Sequence, residues 1–150
     1  MTTETSRPAE STRKDTLARE LALKLLYVMD LGSKKGLEEQ IAVLLAGEND
    51  QPEVRRHPRD LFKTVREHLP EVDARIQEVA INWLISRMPA VDRAILRLGT
   101  AELLYSHEVP PKVTISEAIE LAKKYSTEKS GAFVNGLLDK LYQTLCPQKV

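Results

Sequence analysis

The sequence predicts an all-α protein of about seven helices. Three observations carry this prediction. Apolar residues recur at intervals of three and four along most of the chain, the period of a helix with one buried face. No segment shows sustained period-two alternation bounded by turns, so no strand is expected. Glycines, prolines and short polar residues stand between the periodic segments, where helix caps and stops belong.

Residues 1–12 are polar, rich in Thr, Ser and Glu, and are expected to form a disordered tail. The first helix is predicted over Arg13 to Leu31. Leu17, Leu21, Leu25 and Val28 repeat there at helical spacing, with Ala18, Ala22 and Leu26 beside them. Thr12 or Asp15 suits its start and Gly32 its stop. A turn at Lys34-Lys35-Gly36 leads to a shorter helix, Leu37 to Ala46, with Leu37, Ile41, Leu44 and Leu45 facing inward. Gly47 ends it, and two prolines break the polar connection at residues 48–58. A third helix is predicted from Arg59 to Leu69, ending before Pro70. A fourth runs from Val72 to Arg87, with Ile76, Val79, Ala80, Trp83 and Leu84 at helical spacing.

The fifth segment, Pro89 to Tyr105, is the one around which the chain is organised. At about 100° per residue, Val91, Ala94, Ile95, Leu98, Ala101 and Tyr105 fall in one apolar arc of roughly 120°. Leu96 and Leu103 form a second stripe, with Asp92, Arg93 and Arg97 between the two. A helix with two apolar stripes is packed from two sides and is therefore central. Glu102 falls inside the main arc. Either an Arg, Lys or backbone donor holds it at the edge of the core, or a partner supplies the cation. After a loop at His107 to Pro111, Thr114-Ile-Ser-Glu117 matches a capping box that would start a sixth helix running to Tyr125. Ser126 or Thr127 caps the last helix, lined by Phe133, Val134, Leu137, Leu138 and Leu141 and stopped by Pro147.

Composition narrows the function. The 22 basic and 22 acidic residues give a formal net charge of zero, which argues against coating nucleic acid by bulk charge but leaves a local basic patch open. The single cysteine, Cys146, cannot form an intramolecular disulfide and suits a reducing compartment. No apolar run spans a bilayer and the N-terminus has no apolar signal core, so a cytoplasmic protein without membrane contact is expected. His57, His68 and His107 have no His or Cys partner at ligand spacing, so no metal or other cofactor is expected. No phosphate-binding loop, dinucleotide fingerprint or nucleophile elbow is present, and no catalytic residue is assigned.

Three blocks carry a resemblance: Val91 to Leu104 (VDRAILRLGTAELL), Val109 to Lys124 (VPPKVTISEAIELAKK) and Phe133 to Lys140 (FVNGLLDK). In this order and spacing they resemble the NusB family of bacterial transcription antitermination factors. Ala18-Arg-Glu-Leu-Ala22 and Leu26-Tyr27 extend the likeness, so that it covers most of residues 13–145. The resemblance implies two small helical bundles packed together over residues 13–146. The N-terminal part would cover about 13–69 and the C-terminal part about 71–146. It implies binding without catalysis. The partners would be boxA-type single-stranded RNA of ribosomal RNA leader transcripts, a NusE-like ribosomal protein, and the elongating RNA polymerase that reads through terminators.

The resemblance places RNA binding at the basic start of the first helix, here Arg13, Lys14 and Arg19. Asp15, Thr16 and Leu17 stand where members with a denser motif carry arginines. Each missing phosphate contact weakens RNA affinity and flattens its salt dependence. Tyr27 aligns with an aromatic of the family's RNA-proximal region. Lys129 and Phe133, four apart on the last helix, pair a cation with a stacking ring. Core packing is the competing explanation for Tyr27 and Phe133, and a solvated helix start for the three cations. Asp92, matching an acidic position of the family block, and Glu102 are assigned to the protein partner. A basic ribosomal protein would suit them, although the helix dipole also favours Asp92 where it stands. Three other readings follow. One is an interaction module that has lost RNA binding. Another is a homodimer formed through an apolar helix face. The third is an RNA cytosine methyltransferase fusion, for which 150 residues leave no room.

Overall fold

The computed structural model describes residues 13–31, 37–46 and 58–145. Among these residues the chain forms seven α-helices and no strand. They are α1 (Arg13–Leu31), α2 (Leu37–Ala46), α3 (Pro58–Glu67), α4 (Leu69–Val79), α5 (Ala90–Tyr105), α6 (Pro111–Tyr125) and α7 (Glu128–Leu145), with a 3-10 turn at Ile85–Arg87. The expected tail at 1–12, the turn at 34–36, most of the 48–58 connection and Pro147 lie outside the described residues. So do the side chains of Leu37, Leu44 and Leu45. Ile41, the remaining member of the set predicted to face inward from α2, is buried.

Helix α5 is the axis. Its two stripes predict packing from two sides, and it meets α1, α3, α4, α6 and α7. Every residue from Ala94 to Glu102 is buried. The polar residues between the stripes are drawn in with them, and the arginines among them are paired, as buried charges must be. Arg97 binds Asp73 of α4 through Nε and Nη2, both at 2.9 Å. Arg93 binds Asp30 of α1. Around these pairs one hydrophobic core joins Leu25 and Leu26 of α1, Val65 of α3, Val72 and Ile76 of α4, Ile95 and Leu98 of α5, and Val134 and Leu138 of α7. Gly99 lets α5 and α7 approach closely, because a Cβ there would stand 2.9 Å from Leu138 Cδ1.

Three boundaries depart from the sequence expectation. Pro70 does not follow a helix end; it lies in the first turn of α4, where its missing N–H is no loss. Helix α4 stops at Val79, not Arg87. The Ala80 N–H closes the last turn on Ile76 O at 2.9 Å, and the chain then leaves the helix, so Trp83 and Leu84 are exposed rather than part of a buried face. Helix α6 starts at Pro111, with Pro110 as its cap, not at Thr114. Thr114 is buried within the helix and its hydroxyl donates to Glu102 Oε1 at 3.2 Å. Glu117 accepts from Thr16 of α1 at 2.9 Å instead of reaching back as a cap. The expected cap at Thr127 is present, with Ser130 N–H donating to its Oγ1 at 3.0 Å.

Because α5 is enclosed, Ile95→Ala is expected to cost about 2–5 kcal/mol in urea unfolding. Ile81→Ala, in the exposed segment after α4, should stay within about 0.5 kcal/mol of the parent.

Candidate nucleic-acid interface

Side chains of the first turns of α1 reach α6. Thr16 meets Glu117, and Glu20 accepts from Lys124 Nζ at 2.7 Å and from Tyr125 Oη at 3.0 Å. Arg19, between these contacts, turns inward. Its Nε and Nη2 donate to Glu102 Oε2 and Oε1, each at 2.8 Å. Arg19 is 5% exposed and Glu102 3%. Burial opposes the Arg19 charge, but the Glu102 hydrogen bonds outweigh it and raise its pKa, so the guanidinium stays protonated.

This pair corrects two assignments. Arg19 is a structural cation of the interior and not part of a solvent-facing RNA patch. Glu102 is the core-edge carboxylate held by an arginine, with Thr114 as a third donor, and not a partner contact. Arg13 and Lys14 remain exposed at the start of α1.

At the other end of α1, Asp30 accepts from Arg93, near the start of α5. The residue before it, Asp92, accepts from Ser130 Oγ of α7 at 2.9 Å. The end of α1 and the beginnings of α5 and α7 therefore converge. Tyr27 lies one turn before Asp30 and is 40% exposed. Lys129, next to Ser130, is exposed, and Phe133 one turn on is half-buried. Trp83 packs edge-to-face on Phe133, with ring centroids 5.8 Å apart and planes at 74°. The structure thus brings Tyr27, Lys129 and Phe133 to one end of the molecule. Arg13 lies about 21 Å from Tyr27 along α1, at about 1.5 Å per residue. Asp92 is buried; its Oδ1 has no hydrogen-bond partner, while Oδ2 is held by Ser130. Trp83 was not singled out from the sequence, because the helical spacing that starts at Ile76 continues through it and makes it read as core.

Glu117 and Glu20 are tuned in opposite directions. Burial is the largest influence on Glu117 and pushes its carboxyl above the usual range; the Thr16 hydroxyl and Arg19 pull it back only in part. Burial also opposes the Glu20 charge, but the bonds from Lys124 and Tyr125 outweigh it and hold that carboxyl below the usual range. A carboxyl raised in the folded state stabilises the fold below the ordinary carboxylate range and loses that contribution as pH rises through its folded pKa. Glu117→Gln should therefore be more stable than the parent at pH 7, with the gain shrinking towards about pH 4, near the ordinary carboxylate value. Equal gains at both pH values in urea unfolding would contradict this. Arg19→Ala, which strands Glu102, should cost about 3–5 kcal/mol in the same assay.

Comparison with known proteins agrees with this architecture. The NusB family model matches residues 16–143. The transcription antitermination protein NusB of Geobacter sulfurreducens is 43% identical over 129 residues, covering 86% of this chain and 94% of that protein. The structure of T. maritima NusB superposes with a TM-score of 0.76 at 34% identity, covering 89% of this chain and 92% of that one. A chain from the crystal structure of antitermination factors NusB and NusE in complex with double-stranded RNA superposes with a TM-score of 0.75 at 30% identity, over 89% of this chain and 99% of that one. With a family match across nearly all of the helical chain and a relative 43% identical over 86% of it, the chain belongs to the NusB family.

Proposed function

We propose that this protein acts in transcription antitermination by binding boxA-type single-stranded RNA of ribosomal RNA leader transcripts. It does so together with a NusE-like ribosomal protein, promoting read-through by RNA polymerase. The mechanism is binding alone, without catalysis, and the setting is the cytoplasm. No helix among the described residues is long and apolar enough to cross a membrane.

The observation that carries this reading is the gathering of Tyr27, Lys129 and Phe133 where α1, α5 and α7 meet. A cation beside partly exposed rings is the chemistry that captures unpaired nucleotides, through phosphate contact and base stacking. Arg13 and Lys14 extend the phosphate track along α1. The related complex that contains NusB, NusE and RNA supports the same pair of partners. On the protein side the acidic site reduces to Asp92. Asp92 is buried and its Oδ2 is held by Ser130, so it acts toward a basic partner through its charge and not through direct contact.

One observation favours the narrower reading of an interaction module that has lost RNA binding. With Arg19 inside, two of the three expected cations remain on the surface at the start of α1.

Fluorescence anisotropy of labelled boxA-type RNA, at several salt concentrations and with or without the NusE-type protein, separates the two. The antitermination reading expects partner-enhanced binding that falls steeply with salt. Arg13→Ala combined with Lys129→Ala should lower the log–log salt slope by about 1.4, at about 0.7 per single-strand phosphate contact. Absence of RNA binding even with the partner docked would leave the interaction module.

A further inference from the structure

We infer that Trp83 is a base-stacking residue of this interface, its indole offering a face to one unpaired RNA base and the Phe133 ring buttressing that indole. The inference rests on the RNA-binding reading and adds to it a residue from outside the family-like blocks.

The segment after α4 is fixed by side-chain hydrogen bonds. The Gln77 amide uses both of its ends: Nε2 donates to Ala80 O at 3.0 Å and to Trp83 O at 2.7 Å, while Oε1 accepts from Ile85 N–H at 3.0 Å. On the far side, Arg93 Nη1 donates to Ile85 O at 3.1 Å and to Met88 O at 2.8 Å. The backbone at Trp83 is therefore held in place, and its side chain is 57% exposed. A tryptophan left in water forgoes one of the largest burial gains available to any side chain. With its backbone already fixed, it has less entropy to lose on binding a ligand than a residue of an unbonded loop.

The chemistry around it selects the ligand. In an edge-to-face pair one ring's edge meets the other's face, and with Trp83 57% exposed its indole still presents ring surface to a flat partner. Lys129 stands on the exposed side of α7, one turn before Phe133, where it can meet the phosphate attached to a stacked base. A flat apolar surface beside a cation matches a nucleotide of single-stranded RNA, which carries both a π-face and a negative charge.

Trp83 is the only tryptophan in the chain, so its emission reports on its own surroundings. The experiment titrates the full chain with labelled boxA-type single-stranded RNA in the presence of the NusE-type protein, following tryptophan emission and RNA anisotropy together. The Trp83→Phe variant serves as the blank for partner tryptophans. The partner alone should leave Trp83 emission unchanged, and RNA should quench it along the anisotropy isotherm. Trp83→Ala should weaken RNA binding about tenfold, within the range for one stacked base, with an unchanged salt slope because no charge is lost. Trp83→Phe should retain most of the affinity, and both variants should melt like the parent. RNA binding with unquenched emission and an unaffected Trp83→Ala would overturn the inference and leave the RNA reading standing. Emission that changes with the partner alone, and no further with RNA, would make this patch the protein's seat instead. No RNA binding by the parent chain would overturn both readings.

Discussion

The buried pair between Arg19 and Glu102 joins the first helix of the described fold to its central one. Each charge would be costly in the interior without the other, and together with the Thr114 hydroxyl they satisfy one another's hydrogen-bonding groups. Three helices, α1, α5 and α6, meet at this point. The flanking hydrogen bonds from Thr16 to Glu117 and from Lys124 to Glu20 tie α1 to α6 on either side of it. The length of α1 separates Arg13 and Lys14 at one end from Tyr27 towards the other. The placing of α1 on the rest of the fold thus depends on an interaction that is almost wholly buried.

The start of α5 plays a complementary part. Asp92 holds α7 through Ser130, Arg93 holds α1 through Asp30, and Arg97 holds α4 through Asp73. Arg93 also donates to the carbonyls of Ile85 and Met88, in the segment between α4 and α5. With the Gln77 amide on the other side, the irregular segment between α4 and α5 is as well specified as a helical turn. Aromatic groups on such a segment can be presented to a ligand without first being ordered by it.

Much of the fold was legible because helices are local. The limits of α1 and α2, the double-sided packing of α5 and the Thr127 cap all follow from spacing and cap residues within a few turns. The need of Glu102 for a hydrogen-bond donor, from an Arg, a Lys, the backbone or a partner, was also legible, since a carboxylate in an apolar arc requires one. The identity of that donor was not, because Arg19 is 83 residues away in the chain. Arg19 sits among the basic residues of a helix start, where local sequence gives it the same appearance as Arg13 and Lys14. The end of α4 was hidden for a related reason: Ile76, Val79, Ala80, Trp83 and Leu84 keep a helical period whether or not the backbone stays helical.

By itself the sequence determined the helical class, the central place of the segment from Pro89 to Tyr105 and, through three blocks of residues, the family. These depend on periodicity, capping and motif order, which are written along the chain. The tertiary structure alone decided which charges face inward, that Thr114 and Glu117 bind other helices rather than cap their own, and that Trp83 stands in solvent beside Phe133. Those outcomes depend on which distant groups meet. A polar side chain takes whichever partner the packing of the helices brings within hydrogen-bond reach, and that partner has no fixed spacing in the sequence.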